Sequence, residues 1–256
     1  MEILNNTISD IAAKQIEALC CSFRKPVVFI PDDGDEKKEA EYINSIDMDP
    51  SQYYAIRLTS GLERRMFEAQ VLHEILHIRQ FEMGYPALCN KHSQQFLESS
   101  DSVEELGSSI FSGVLDIEVF ARMTEYRYAD AIAWAADNTY YGLITGAAQE
   151  LSNSDDKYSF ANLVITFAKV LYHTTGEQDA AIQKMFDNYP RVLESAFSMR
   201  DMLRACPPDT SDSAVVTMGN MIDMLDLWDL FYIRLADNKI RTKAEFEAYN
   251  KCHRPV

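Results

Sequence analysis

The chain is short of positive charge. Against 40 Asp and Glu it carries 24 Lys and Arg, a formal net charge of -16 over 256 residues. An extended polyanion would meet a repelling average field, so nucleic acid is not an expected partner. The same balance disfavours an anionic membrane surface, the local pair Arg64–Arg65 notwithstanding. Long apolar runs are missing as well. A membrane-spanning helix needs about 18 or more uncharged apolar residues. The most apolar stretches, around 160–172 and 214–235, are broken by Asn, Lys, Asp or Arg. The opening residues, MEILNNTISDIAAKQIEALCCSF, have no basic start ahead of an apolar stretch and do not read as a secretory signal. Cysteine is scarce and unpatterned. The five cysteines, Cys20, Cys21, Cys89, Cys206 and Cys252, include no CxxC spacing, which argues against a disulfide framework or a zinc ribbon. Reduced thiols in a cytoplasmic protein fit this usage.

What is present is a globular composition, 47% hydrophobic, enough to fill a sizeable core. Ile8, Ile11, Ala12, Ile16 and Leu19 recur at helical spacing within residues 3–23, with Ser9 or Asp10 available near a cap. The run VVFI between Pro26 and Pro31 and the run YYAIRLT at 53–59 predict strands, separated by a charged, solvated stretch DDGDEKKEAEY. All expected strands precede residue 60. From Leu62 the pattern is helical, over 62–83, 103–136, 158–175, 178–204 and 213–236, with a short helix near 243–251 and a break or kink at Pro190. The stretches NSDD (153–156) and PPDTSDS (207–213) are too short to separate independent domains. The expected organisation is an N-terminal region over 1–150 that holds the strands and a helical region over 151–256 packed on it in one structural unit.

Residues 73–77 read His-Glu-Ile-Leu-His inside LERRMFEAQVLHEILHIRQFEMG, a helical stretch that Gly84 and Pro86 can end. On a helix His73 and His77 stand one turn apart on the same side, so both imidazoles can reach one metal ion, with Glu74 flanking that face. Val71, Ile75 and Ile78 lie on the opposite side and give the helix an apolar back. A catalytic zinc site usually takes a third protein ligand and keeps a position open for water. The later segment SSIFSGVLDIEVFARMTEYRYADAIAWAAD is apolar nearly all round, from Ile110 and Phe111 to Phe120 and Met123. An acid buried there needs a partner, and Asp116 and Glu118 both sit in its most apolar part. Glu125 lies in a more polar stretch.

HEILHIRQFEMGYP (73–86) followed by VLDIEVFARMTEYRYAD (114–130) resembles an uncharacterised group of bacterial predicted zinc peptidases of the HExxH, zincin type. In that pattern HExxH, a Gly-Tyr-Pro turn and a later "LD..V...L..YG.D" segment recur together. The resemblance covers about residues 60–135 and implies His73, His77 and Asp116 as zinc ligands with Glu74 as the general base. Arg127 departs from it, standing where the pattern has glycine. The glutamate-type zincin arrangement, with Asp four residues after the acid, is absent: Glu118 is followed there by Arg122 and Glu125 by Ala129. The implied fold is predominantly helical α+β, a zincin-like core with a small N-terminal sheet over the HExxH helix and an all-helical C-terminal part.

The implied activity is a zinc metallopeptidase acting on a peptide or protein, with Glu74 taking a proton from water and returning it to the leaving amine. YYAIRLT would suit a sheet edge to which a peptide adds as a further strand. Two alternatives share the same metal: a non-catalytic helical interaction or regulatory protein stabilised by a closed site, for instance with His92 as fourth ligand, and a zinc hydrolase of a non-peptide amide. His173 and His253 have no spacing that marks them, nor do Tyr85, Tyr126 and Tyr128 as oxyanion donors. Asp223, Asp226 and Asp229 read as the polar stripe of an amphipathic helix.

Overall fold

A computed structural model of the chain describes residues 1–31, 41–43, 52–59, 61–91, 100–150 and 156–253. Most of the expected periodicities become elements, and the chain is predominantly helical with small sheets, an α+β arrangement. It divides into two compact units. Unit one is Met1–Met83 with Val119–Ala133, and unit two is Gly84–Glu118 with Trp134–Val256. One boundary falls inside helix α3 (Ser100–Glu125), between Glu118 and Val119, and another inside α4 (Ala129–Glu150), between Ala133 and Trp134. His92, much of the charged stretch after Pro31 and most of NSDD lie outside the described residues.

In unit one, β1 (Glu2–Ile3) and β2 (Asn6–Thr7) form an antiparallel pair joined by Leu4 and Asn5, both at positive φ, as a tight two-residue hairpin requires. Helix α1 (Asp10–Ser22) is capped by Ser9, whose hydroxyl oxygen accepts from the Ala12 N–H at 3.2 Å. Its buried stripe is Ala12, Ala13, Ile16 and Leu19. Ile11, counted in that stripe from sequence, instead faces solvent. Strand β3 (Val27–Pro31) lies parallel to β5 (Tyr54–Leu58), and β4 (Glu41–Ile43) pairs antiparallel with the other side of β5. Helix α2 (Arg64–Glu82) buries Phe67, Val71, Leu72, Ile75 and Ile78 in one cluster with Ile56 and Leu58 of β5. Each such side chain contributes about 1.5–3 kcal/mol of transfer free energy.

Because the strand order is β3-β5-β4, β5 is central and both of its hydrogen-bonding edges are taken. The sequence expectation that YYAIRLT forms an edge for peptide addition is therefore corrected. Alternating β-formers reveal a strand but not its place in the sheet.

A buried carboxylate ties unit one together. Glu68 of α2 accepts from the Ser9 backbone N–H at 2.6 Å and from the Tyr128 hydroxyl at 3.2 Å. Arg65, one turn earlier, lies over the Tyr128 ring at 3.9 Å and makes a fork to Asp130, Nε to Oδ2 at 3.0 Å and Nη2 to Oδ1 at 2.7 Å. It also donates to the Arg127 carbonyl.

Unit two is built on helices. α5 (Lys157–His173) is capped by Asp156, which accepts from the N–H groups of Tyr158 and Ser159. α6 (Gly176–Met185) and α7 (Pro190–Ala205) divide the stretch expected to be interrupted at Pro190, which takes the first position of α7. α8 (Ser211–Met224) meets α9 (Lys243–His253) at Gly219, where an added Cβ would collide with the Phe246 ring. The expectation of strands only before residue 60, with an all-helical C-terminal part, is corrected here. β6 (Ala87–Asn90), β7 (Phe231–Arg234) and β8 (Lys239–Ile240) form an antiparallel sheet. Among the described residues no helix is long and apolar enough to cross a membrane.

Two helices end earlier than periodicity predicts, for one reason. At the end of α3 the Arg127 N–H bonds the Thr124 carbonyl and the Tyr128 N–H bonds that of Met123, with Arg127 at φ +69°. At the end of α8 the Asp226 N–H bonds Asp223 and the Leu227 N–H bonds Ile222, with Asp226 at φ +54°. Both are Schellman closures with a left-handed residue just past the helix. Glycine is the usual occupant and the visible signal, and neither position has it. The helices expected over 103–136 and 213–236 are therefore cut at 126–128 and 225–227, and of Asp223, Asp226 and Asp229 only Asp223 is helical. Asp223 instead pairs with Lys243, and Asp226 and Asp229 with Lys157.

Arg127 is solvent-exposed, so Arg127→Gly relieves the left-handed backbone without uncovering core. We expect it to raise stability by about 0.5–1 kcal/mol, after the entropic cost of glycine, in urea unfolding. Burial, followed by the nearby Glu68 carboxylate, pushes the Tyr128 phenol up to about 12. An unfolded tyrosine ionises near pH 10, so this contribution is fully present below pH 10 and is lost as pH rises toward 12. Tyr128→Phe should flatten the alkaline fall in stability by about one proton's worth. An unchanged slope would place that proton elsewhere.

Candidate metal centre

The HEILH sequence lies within α2, which runs to Glu82 and ends ahead of Gly84 at φ +78°. Its back is fully apolar: Val71, Ile75 and Ile78 are completely buried, as the pattern predicts. That packing turns His73 and His77 outward to a half-buried position. Their rings meet edge-on, centroids 4.7 Å apart, and the two Nε2 atoms face each other at 3.1 Å. Phe120, in the unit-one part of α3, packs on His73 with ring centroids 5.6 Å apart. Glu74 is buried, and its Oε1 lies 3.9 Å from His73 Nε2.

The other ring nitrogen of His77, Nδ1, lies 2.9 Å from Gln80 Oε1, within hydrogen-bond distance. Gln80 is one of the most deeply buried polar side chains of unit one, at 1% exposure. Sequence reasoning passed over it. The available signal was its position: an amide three residues after His77, among apolar core residues of the same helix, needs a partner.

Asp116 stands one turn before Phe120, on the same face of α3. His73 and His77 belong to unit one, and Asp116, the third ligand implied by the sequence resemblance, belongs to the unit-two part of α3. Glu118, the alternative acid, is buried about 200° around the helix from Asp116, and Glu125 is exposed.

Within unit two, α5 runs alongside α3 in the same direction. Ser109 donates to Asn162 at 3.0 Å, and Lys169 Nζ donates to Ser112 Oγ at 2.8 Å. The next turn of each helix carries Asp116 and His173. Burial lowers the His173 pKa, Lys169 and Arg204 reinforce that shift, and the Asp116 carboxylate opposes it. His173, unmarked in the sequence, is thus an electrostatic neighbour of Asp116. His253 is exposed and stacked on Tyr249.

The donor set fits zinc. Two imidazole nitrogens and a carboxylate oxygen are zinc ligands, and tetrahedral zinc with Zn–N near 2.0–2.1 Å places two nitrogens about 3.3 Å apart. The observed 3.1 Å matches that spacing. Comparison with known proteins gives no family model, no curated protein and no solved structure that matches the chain. Function is therefore argued from the side chains themselves.

Proposed function

We propose that the protein is a zinc-dependent hydrolase that cleaves peptide bonds, with a zincin-like core in which His73, His77 and Asp116 hold the metal and Glu74 is the general base. The observation that carries this reading is the approach of the His73 and His77 Nε2 atoms to 3.1 Å beside a buried glutamate of the same helix. Zinc held by three protein ligands supplies a water made acidic near neutral pH and a Lewis acid for the scissile carbonyl. The protein supplies the rest. The apolar back of α2 fixes the direction of both imidazoles, and Phe120 limits the swing of the His73 ring. Glu74, largely withdrawn from solvent, accepts the proton at its carboxylate and returns it to the departing amine, work worth about 10²–10⁴-fold in rate.

Two variants test the assignment. Glu74→Gln keeps the shape of the side chain and should retain zinc while losing at least about 10²-fold in hydrolysis of a fluorogenic peptide library. Full turnover would remove the general-base role. Asp116→Ala should lose zinc on dialysis, read by elemental analysis, while Glu118→Ala keeps it, and the reverse result would transfer the third ligand to Glu118. X-ray absorption of the zinc-loaded protein should find three protein ligands and one further oxygen. Four protein ligands would favour a closed, stabilising site, and turnover confined to non-peptide amides would move the reaction class.

A further inference from the structure

We propose that Lys169 and Arg204, at the end of α5, form an oxyanion site in unit two that takes a carboxylate or a phosphate group. Both side chains are charged at neutral pH whether or not His73 and His77 bind metal. With 40 Asp and Glu for 24 Lys and Arg, a paired cation is the ordinary expectation in this chain. Arg65 pairs with Asp130, and Arg200, with a side chain 14% exposed, pairs with Asp179 and Asp201. Lys169 differs. It is half-buried, yet among the described residues its one hydrogen-bond partner is the neutral Ser112 Oγ at 2.8 Å, and no carboxylate reaches ion-pair distance. An ammonium group has three donors, so two are left over. A charge drawn partly out of water with one neutral partner is costly to hold, and an anion beside it offsets that cost.

Arg204, exposed and next to last in α7, reaches the end of α5 with a single nitrogen. Its Nη2 donates to the carbonyls of Leu171, Tyr172 and Thr174 at 2.9, 2.8 and 3.1 Å. Those carbonyls belong to the negative end of the helix, which would repel an anion, and the guanidinium covers them. Among the described residues Nε and Nη1 donate to nothing. These N–H groups suit an oxyanion, because planar guanidinium donors match the oxygens of carboxylate and phosphate. His173 closes α5 one turn after Lys169, on the same side, and both Lys169 and Arg204 act on it electrostatically. The two cations therefore stand at the same end of α5. Asp116 acts on the same ring, so two fixed cations face one acid, a local positive excess in a chain of net charge -16.

Titration of the full chain with sodium phosphate and, separately, with sodium acetate tests the site, followed through the Lys169 Nζ and Arg204 Nε–H resonances and compared with sodium chloride at equal ionic strength. Saturable shifts beyond those of chloride are expected with at least one of the two salts, and the tighter of them names the group that the site takes. Lys169→Met keeps the length of the side chain without its charge and should weaken that binding about 10-fold or more. Arg204→Lys keeps a charge at the end of α5 but loses the planar donors, and should weaken it as well. Lys184→Met, exposed on α6, should change nothing. Shifts no larger than those of chloride with both salts would overturn the site, and so would unchanged affinity in Lys169→Met. Should Arg204→Lys fail to fold, the wild-type titrations and Lys169→Met still decide it.

Discussion

The carboxylate of Glu68 is the constraint on which the arrangement of unit one depends. An acid buried to 3% exposure destabilises the fold unless its oxygens are bonded. Glu68 meets that condition by reaching two segments far away in sequence, the start of α1 through the Ser9 N–H and the corner after α3 through the Tyr128 hydroxyl. The bonds fix the rotation of α2 about its own axis. A helix that must aim Glu68 inward at these donors and bury Val71, Ile75 and Ile78 has little freedom in where it aims His73 and His77. The direction of the candidate ligands is thus set five residues before the first of them.

Much of the fold was legible because it is written in spacing. Val71, Ile75 and Ile78 announce the buried side of α2, Ser9 announces a helix start, and Pro190 announces an interruption. What could not be read depends on partners distant in sequence. β7 is four residues whose identity as a strand is created by β6, with Cys89 opposite Tyr232. The same residues read as the tail of an apolar helix when that partner is out of view. The central position of β5 is likewise a property of β4, a three-residue strand.

The site divides in the same way. HEILH is local, and a helix brings its two histidines together without help from the rest of the chain. Asp116 and Glu118 could be separated in sequence only by resemblance, since both lie in an apolar run. In three dimensions the 200° between them settles which shares the face of Phe120. Gln80 carries no motif, and its meaning appears only once its burial and its contact with His77 are known. Lys169 and Ser112 bring His173 into the surroundings of Asp116, a relation between two helices that no spacing within either one encodes.

The turn after α3 shows where the information for a chain reversal can reside. Its left-handed residue is Arg127, so the amino acid at the turn does not itself favour the geometry. The specification has moved to Arg65, which grips the Arg127 carbonyl from 62 positions earlier in the chain and the Asp130 carboxylate from 65 positions earlier. The turn is consequently encoded by what holds it. Position 127 contributes a backbone carbonyl that any amino acid supplies, whereas positions 65 and 130 must be chosen together. A pattern drawn around glycine at such a corner describes one solution to the reversal, and the guanidinium–carboxylate fork describes another.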